Sequence, residues 1–157
     1  MMDHDRIELV KQVKAAIEDK ETEHDVLEAA VSLIDDFSDG YDWTGFYMMR
    51  GEALEVGPYI GPETPHTKIE LDQGICGAAA SQKQSIVVDD VNADPRFLAC
   101  SVTTQSEIVV PLMDGNHCLG EIDIDSNQPS FFTSQDREML EQIADVIVKK
   151  LRDIRSH

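Results

Sequence analysis

Apolar residues recur at helical spacing in three segments of the chain, two near its start and one near its end. The first segment covers 5–20. Thr22 precedes the second segment, and Thr133 precedes the last one. Each threonine has an aspartate three residues later, which is a helix-start signature. We therefore expect two N-terminal helices within 5–38 and one C-terminal helix over 133–153.

Between these helices the pattern changes to short β-branched and aromatic runs, which are typical of strands. The run WTGFYMM at 43–49 alternates, and a hairpin partner, LEVGPYIG, follows across 50–52. Further strand-like runs lie at 68–71, 85–91, 108–113 and 117–126, whereas 61–67 is expected to be a loop and 72–84 a loop that enters a short helix. Strands at hairpin spacing between terminal helices predict an α+β fold.

The sheet is therefore expected to be antiparallel, with about six strands over 42–126 and helices flanking it. We expect one domain over 1–157, since a chain of 157 residues is long enough for one core.

Acidic residues interrupt the strand-like text near its end. In GEIDIDS, Glu121, Asp123 and Asp125 share one face of the predicted strand, and isoleucines occupy the other. Glu107 precedes a β-branched run, where an unpaired charge is costly if buried. Two interpretations remain open: a strand face in contact with water, or a face that holds a ligand.

Charge and composition narrow the class of partner. The chain has 31 acidic and 13 basic residues, for a net charge of -18, and 41% hydrophobic residues. Such a surface repels phosphate backbones and anionic headgroups, so we expect neither nucleic acid nor membrane as a partner. We see no apolar run of membrane-spanning length, no signal peptide and no dinucleotide or P-loop fingerprint, so no cofactor is expected.

The three cysteines lie at 76, 100 and 118, without a C-x-x-C pair. This pattern favours reduced thiols in the cytoplasm over a disulfide framework or a structural zinc site, and we expect no metal. Cys100 is expected in a polar loop and is the candidate nucleophile, although the acids nearby should raise its pKa. Cys76 is expected in a glycine-flanked loop as a partner thiol, and Cys118 in the core of a strand.

The acids and the aromatic residues suggest one kind of ligand. Glu107, Asp123 and Asp125 together can bind an ammonium group, with one carboxyl protonated to act as an acid. Trp43 and Tyr47 lie on one side of the first strand, either as core packing or as an aromatic wall around a small molecule. A zwitterionic or oxidised amino acid fits this combination.

Four motifs now identify a resemblance: WTGFY, GICGAAA, the DPRFLAC–SEIVVP block and GEIDIDS, in this order. Together they resemble a GAF domain and, more narrowly, the free methionine-(R)-sulfoxide reductases, from about position 42 to the last helix. The resemblance implies a six-stranded antiparallel sheet and a homodimer. It also implies reduction of free L-methionine-(R)-sulfoxide, with thioredoxin or another thiol as reductant.

The resemblance also implies roles for single residues. Cys100 matches the nucleophile, which becomes a sulfenic acid. Glu107, Asp123 and Asp125 match the acids of the family that hydrogen-bond the sulfoxide oxygen and the amino group of the substrate. Glu107 is the expected proton source. Trp43 and Tyr47 match the aromatic wall around the methyl group, and Cys76 matches a second cysteine of the family.

One position departs from the family pattern. A resolving cysteine is expected ten residues before Cys76, but His66 occupies that position. The sulfenic acid must then be resolved by Cys76 or by an external thiol. His66 is either an ordinary loop residue or a group that assists a thiol or the leaving oxygen.

Two other functions stay open. The chain could be a GAF sensor that binds a small molecule without reaction. It could also be a dimerisation domain without a ligand, although this reading leaves the acidic strand face unexplained.

Overall fold

The computed structural model describes residues 2–97 and 103–156. Within these ranges the helices are α1 (His4–Ile17), α2 (Glu23–Asp36), α3 (Gly74–Gln82) and α4 (Ser134–Arg155), with a short 3-10 helix at Val91–Ala93. The strands are β1 (Trp43–Arg50), β2 (Ala53–Ile60), β3 (Lys68–Glu70), β4 (Ile86–Val88), β5 (Ser106–Asp114) and β6 (His117–Ser126).

The described strands form one six-stranded sheet in the order β3-β2-β1-β6-β5-β4. Every neighbouring pair is antiparallel. The prediction of an α+β fold with an antiparallel sheet flanked by helices is therefore confirmed. The two longest strands, β5 and β6, lie side by side and carry the acidic residues noted above.

Each side of the sheet has its own apolar core. On one side Phe46 and Met48 share a core with α1, α2 and α4, and on the other side Trp43 and Tyr47 share a core with α3. Alternation along β1 produces this division, because successive side chains of a strand point to opposite faces. The second core is the smaller one, and it contains the candidate site.

The predicted helix starts are confirmed. Thr22 caps α2, where its hydroxyl accepts a hydrogen bond from the backbone N–H of Asp25 at 3.1 Å. Thr133 and Asp136 form the capping box of α4, each side chain accepting from the other's backbone.

Two local predictions need correction. The strand expected over 85–91 is limited to Ile86–Val88, because Asp90 caps the 3-10 helix that begins at Val91. Cys118 is partly exposed near the start of β6 and not in the core of a strand, although it packs against the edge of the second core.

Cys76 was expected in a glycine-flanked loop, and this expectation is wrong. It lies in the first turn of α3 and is buried. Gly77 allows this helix to approach the end of β3, since a Cβ there would lie 2.8 Å from the backbone oxygen of Glu70. Among the described residues, no helix is both long enough and apolar enough to cross a membrane.

Candidate active site

Four carboxyl groups lie on one side of the sheet, and almost no water reaches them. Glu121, Asp123 and Asp125 of β6 have exposed fractions of 0%, 2% and 2%. Glu107 of β5 is 5% exposed and pairs with Asp125 across the two strands. The interpretation of these acids as a strand face in contact with water is therefore wrong.

Burial raises the pKa of these carboxyl groups. Desolvation raises the pKa of Glu121 and of Asp125 well above the usual values, and the charge of Asp123 adds to both shifts. Desolvation also raises the pKa of Asp123, although hydrogen bonds with Glu107 and Cys76 offset part of the rise. Carboxyl groups of this kind hold protons at pH values where exposed acids are ionised.

Several oxygens of this group lack partners among the residues that the structure describes. These are both carboxyl oxygens of Glu121, Oδ1 of Asp123 and Oδ1 of Asp125. The nearby Cys76 thiol acts to lower the pKa of Glu121, although neither carboxyl oxygen has a hydrogen-bond partner at a normal distance. Unsatisfied buried carboxyl oxygens are costly, so this arrangement is suited to a ligand.

Cys76 is a hydrogen-bond donor to this group. Its Sγ lies 3.3 Å from Oδ2 of Asp123, and the side chain is 5% exposed. Burial raises the pKa of the Cys76 thiol well above its usual value, and the charges of Asp123, Glu121 and Glu107 raise it further. In the structure described, Cys76 is therefore a protonated thiol and not an activated nucleophile.

A small cavity lies where α3 meets the acidic strands. Its lining includes Tyr47, His66, Ile69, Cys76, Glu107 and Asp123. Its volume is about 10 Å³, roughly the room that one water molecule needs. A second cavity, of about 250 Å³, is lined by Trp43, Asp125 and Thr104, among others. It is a little below the roughly 300–1,000 Å³ of pockets for drug-sized ligands, so it suits a smaller molecule.

Aromatic rings form a wall beside the acids. Trp43 stacks on Tyr47 and Tyr59, with ring centroids 6.1 and 5.2 Å apart. Gly45 leaves room for this stack, since a Cβ there would lie 2.5 Å from the Trp43 ring.

The same rings fix the loop at 61–67. Trp43 donates a hydrogen bond from Nε1 to the backbone oxygen of Pro62 at 3.1 Å. The Tyr47 hydroxyl donates to the backbone oxygen of His66 at 2.9 Å. The wall is therefore both a packing element and the anchor of the loop beside the site.

The structure thus brings together Glu107, Asp123, Cys76, Tyr47 and His66 around one cavity. Asp125 and Trp43 line the neighbouring one. Cys100, the predicted nucleophile, lies outside the described residues.

Sequence reasoning missed Tyr59 and Thr104, and it left Glu121 without a role. The strand alternation placed Glu121 beside Asp123, and this was the signal that could have assigned it to the site. Sequence spacing also missed a possible metal-ligand cluster, because Cys76, Glu107 and Asp123 are far apart in the chain. Their donor atoms lie within 4.8 Å of one another.

The fold and the site together define the class of protein. The family model described as GAF domain matches residues 23–151, so the chain belongs to the GAF domain family. More narrowly, it resembles the free methionine-R-sulfoxide reductases.

Two curated relatives bear that name. The protein from Saccharomyces cerevisiae (strain ATCC 204508 / S288c) is 39% identical over 112 residues, which are 69% of this chain and 62% of the relative. The protein from Escherichia coli (strain K12) is 34% identical over 110 residues, which are 70% of this chain and 66% of the relative. The matched part of the chain thus spans a little under two thirds of the length of these relatives.

A solved structure is also similar. It is the free methionine-R-sulfoxide reductase from Neisseria meningitidis in complex with its substrate, with a TM-score of 0.92 and 29% identity. The superposition covers 99% of this chain and 95% of that one.

Proposed function

We propose that this chain reduces free L-methionine-(R)-sulfoxide to methionine, with Cys100 as the nucleophile. The observation that carries the proposal is the burial of Glu107, Asp123 and Asp125 beside an aromatic wall. An amino acid sulfoxide suits this site, because its ammonium group is positive and its sulfoxide oxygen accepts hydrogen bonds. The names of the relatives from yeast and Escherichia coli support the same reaction class.

The two cavities suggest how the roles divide. Asp125 faces the larger cavity with Trp43, and we assign it to the ammonium group, whose positive charge offsets the raised pKa of this carboxyl and favours its ionised form. Glu107 and Asp123 face the small cavity, and we assign them to the sulfoxide oxygen, with Glu107 as the proton source. Trp43 and Tyr47 then pack around the methyl group, since an apolar wall excludes water from the sulfur.

The reaction transfers one oxygen atom. The Cys100 sulfur attacks the sulfoxide sulfur and forms a sulfur–sulfur bond. The oxygen then bonds to the Cys100 sulfur as this bond and the sulfur–oxygen bond of the substrate break, so Cys100 becomes a sulfenic acid and methionine leaves. The thiol is oxidised by two electrons and the sulfoxide is reduced by two, and the thiol proton remains on the products. Glu107 lends a proton to the sulfoxide oxygen during the attack and recovers it afterwards. Cys100 has this role on the strength of the sequence resemblance.

Recycling needs an external thiol in this proposal. Two thiols, from thioredoxin or a small thiol, reduce the sulfenic acid to Cys100, with formation of one disulfide and one water. Cys76 is a poor resolving residue, because it is buried in α3 as a protonated thiol that donates a hydrogen bond to Asp123. His66, at the position where the family has a cysteine, forms no disulfide.

We extend the proposal to the setting of the protein. Cys76 and Cys118 are both free thiols, and free thiols suit a reducing cytoplasm. We also propose that the whole chain, 1–157, is one GAF domain that assembles as a homodimer, as the resemblance implies.

A second candidate is a GAF domain that binds a small molecule without reacting. The Cys76 thiol beside the acids is protonated. The neighbouring cavity of about 250 Å³, lined by Trp43 and Asp125, has room for a small molecule, and together these features suit binding without reaction. Saturable binding of methionine sulfoxide without turnover under any reductant would favour this candidate.

The test is a turnover assay with dithiothreitol as reductant. Methionine formation is followed with the R and S epimers of free methionine sulfoxide, for the wild type, Cys100→Ser and the control Cys118→Ser. We expect turnover of the R epimer alone, lost in Cys100→Ser and kept in Cys118→Ser. Retained turnover in Cys100→Ser, or equal rates with both epimers, would contradict the proposal.

A further inference from the structure

Three donor atoms of mixed chemistry meet in the small cavity. The Sγ of Cys76 and one carboxyl oxygen each from Glu107 and Asp123 lie within 4.8 Å of one another, and all three residues are buried. One thiolate with two carboxylates is a donor set that Zn²⁺ and similar thiophilic cations accept. Mg²⁺ and Ca²⁺ prefer oxygen ligands alone, so a sulfur ligand selects against them.

A second observation points to a ligand at this place. Asp123 lines the cavity with an exposed fraction of 2%, and within the described part of the chain its Oδ1 has no hydrogen-bond partner. Both oxygens of Glu121, two positions away on the same face of β6, also lack a partner there. A cation would satisfy Asp123 directly, and its positive charge would favour the ionised form of both Asp123 and the neighbouring Glu121.

The size of the cavity suits an ion. Its volume of about 10 Å³ leaves room for roughly one water-sized group. Tetrahedral Zn²⁺ with ligands at about 2.0–2.3 Å needs donor atoms about 3.3–3.8 Å apart. The Cys76 Sγ and Oδ2 of Asp123 are already 3.3 Å apart, and the three donor atoms all lie within 4.8 Å of one another.

We propose that Cys76, Glu107 and Asp123 bind one thiophilic divalent cation such as Zn²⁺ or Co²⁺, with a fourth position left for water. Cys76 releases its proton to solvent as the ion binds. The ion occupies two of the acids assigned above to the sulfoxide oxygen, so it competes with methionine sulfoxide. This competition rests on the proposed function, whereas the binding of the ion does not.

The test is a titration of reduced, tag-free protein with Co²⁺, because a thiolate–cobalt bond gives a charge-transfer absorption band in the near ultraviolet. We expect one Co²⁺ per chain with this band in the wild type. We expect the band to disappear in Cys76→Ser and to persist in the matched control Cys118→Ser. Asp123→Asn should weaken Co²⁺ binding roughly tenfold or more, as loss of one ligand does.

Circular dichroism verifies that each variant is folded, and Cys76→Ala replaces Cys76→Ser if the latter is not. The absence of a band in the wild type, or a band that persists in both Cys76 variants, would overturn the proposal. Zn²⁺ is then tested as an inhibitor of R epimer turnover. A cobalt band without any turnover would contradict the proposed function and leave the ion site standing.

Discussion

Glu107 and Asp125 face each other across β5 and β6, and both are almost fully removed from water. Two neighbouring buried acids of this kind share protons, so one can donate while the other accepts. At the scale of single residues, the proposed reaction uses this division of roles. Asp125 binds the ammonium group of the substrate, and Glu107 supplies a proton. Substitutions that keep the shape of each side chain separate the two roles.

We expect Glu107→Gln to lower kcat by about 10²–10⁴-fold with a small change in KM, because it removes a proton donor to the transition state. We expect Asp125→Asn to raise KM by about 10–100-fold, because it removes one charged hydrogen bond to the ammonium group. Glu55→Gln, on the exposed part of β2, is the control and should change neither constant. Steady-state kinetics with the R epimer measures both effects. The assignment fails if the two variants show the same pattern.

Glu121 is the acid without an assigned role in turnover. It is fully buried, and neither carboxyl oxygen has a partner among the described residues. We expect Glu121→Met to raise the free energy of unfolding by about 1 kcal/mol or more, because it removes an unsatisfied polar group and keeps the volume. Denaturant unfolding of this variant measures the change.

Glu55→Met is the control for the Glu121 substitution, since it makes the same change on an exposed strand position. It should alter the free energy of unfolding by less than about 0.5 kcal/mol. A destabilised Glu121→Met protein would show that the carboxyl group has a partner that holds the fold together.

At the scale of whole elements, helix starts and hairpins were predictable because their signals are local. Thr133 with Asp136 needs only four residues to be recognised, and the structure has the same capping box. The burial of Asp123 was not predictable in this way. The alternation of apolar and acidic residues along the sequence is the same whether the acidic face of the strand lies in water or is covered by a helix. One of the side chains that contact Asp123 is Cys76, 47 residues earlier.

The prediction that Cys76 lies in a loop failed for a related reason. Gly74 and Gly77 favour a loop by intrinsic propensity, but the close approach of α3 to Glu70 requires a residue without a side chain at Gly77. Tertiary packing therefore overrides the local signal. The stacking of Tyr59 on Trp43 depends on strand pairing in the same way, and no short-range pattern reveals it.

One buried acid joins α1, the start of α4 and the segment between α2 and β1. Asp136 at the start of α4 accepts hydrogen bonds from Tyr41 at 2.7 Å, from Arg6 of α1 at 2.9 Å and from the Thr133 backbone at 2.8 Å. Burial alone would raise the pKa of Asp136. The hydrogen bonds from Thr133, Tyr41 and Arg6 outweigh it and hold the pKa below its usual value.

We expect Asp136→Asn to lower the free energy of unfolding by about 2 kcal/mol at pH 7, because it leaves Arg6 without this carboxylate. A depressed carboxyl pKa adds stability above the unfolded-state pKa of about 4, and this stability is lost as pH falls through the folded-state value. The difference between wild type and variant should therefore shrink below about pH 4. Urea unfolding across pH measures it, with the exposed Asp5→Asn as control. A difference that does not depend on pH would contradict the role of the charge.

At the scale of the whole molecule, the apolar cores stabilise the fold and the net charge destabilises it. The two apolar cores stabilise the sheet from both sides, whereas a net charge of -18 makes the folded chain repel itself. Salt screens this repulsion, since the Debye length falls to about 8 Å at physiological ionic strength.

We expect the Tm to rise by roughly 3 °C between low salt and 0.15 M salt, which corresponds to about 1 kcal/mol for a chain of this size. Sodium chloride and tetramethylammonium chloride should act alike, because screening does not depend on the identity of the cation. Differential scanning calorimetry measures both. A Tm that does not change, or that falls, would show that favourable ion pairs outweigh the net repulsion.

The central claim is that Cys100 takes the oxygen atom from methionine sulfoxide. A single-turnover experiment tests it most directly: reduced protein, freed of thiol, is mixed with the R epimer and then with a reagent specific for sulfenic acids. We predict about one methionine per chain and mass-spectrometric labelling of the Cys100 peptide, with neither product from the S epimer. Labelling of Cys76 or Cys118 with Cys100 unmodified, or no methionine at all, would contradict the account.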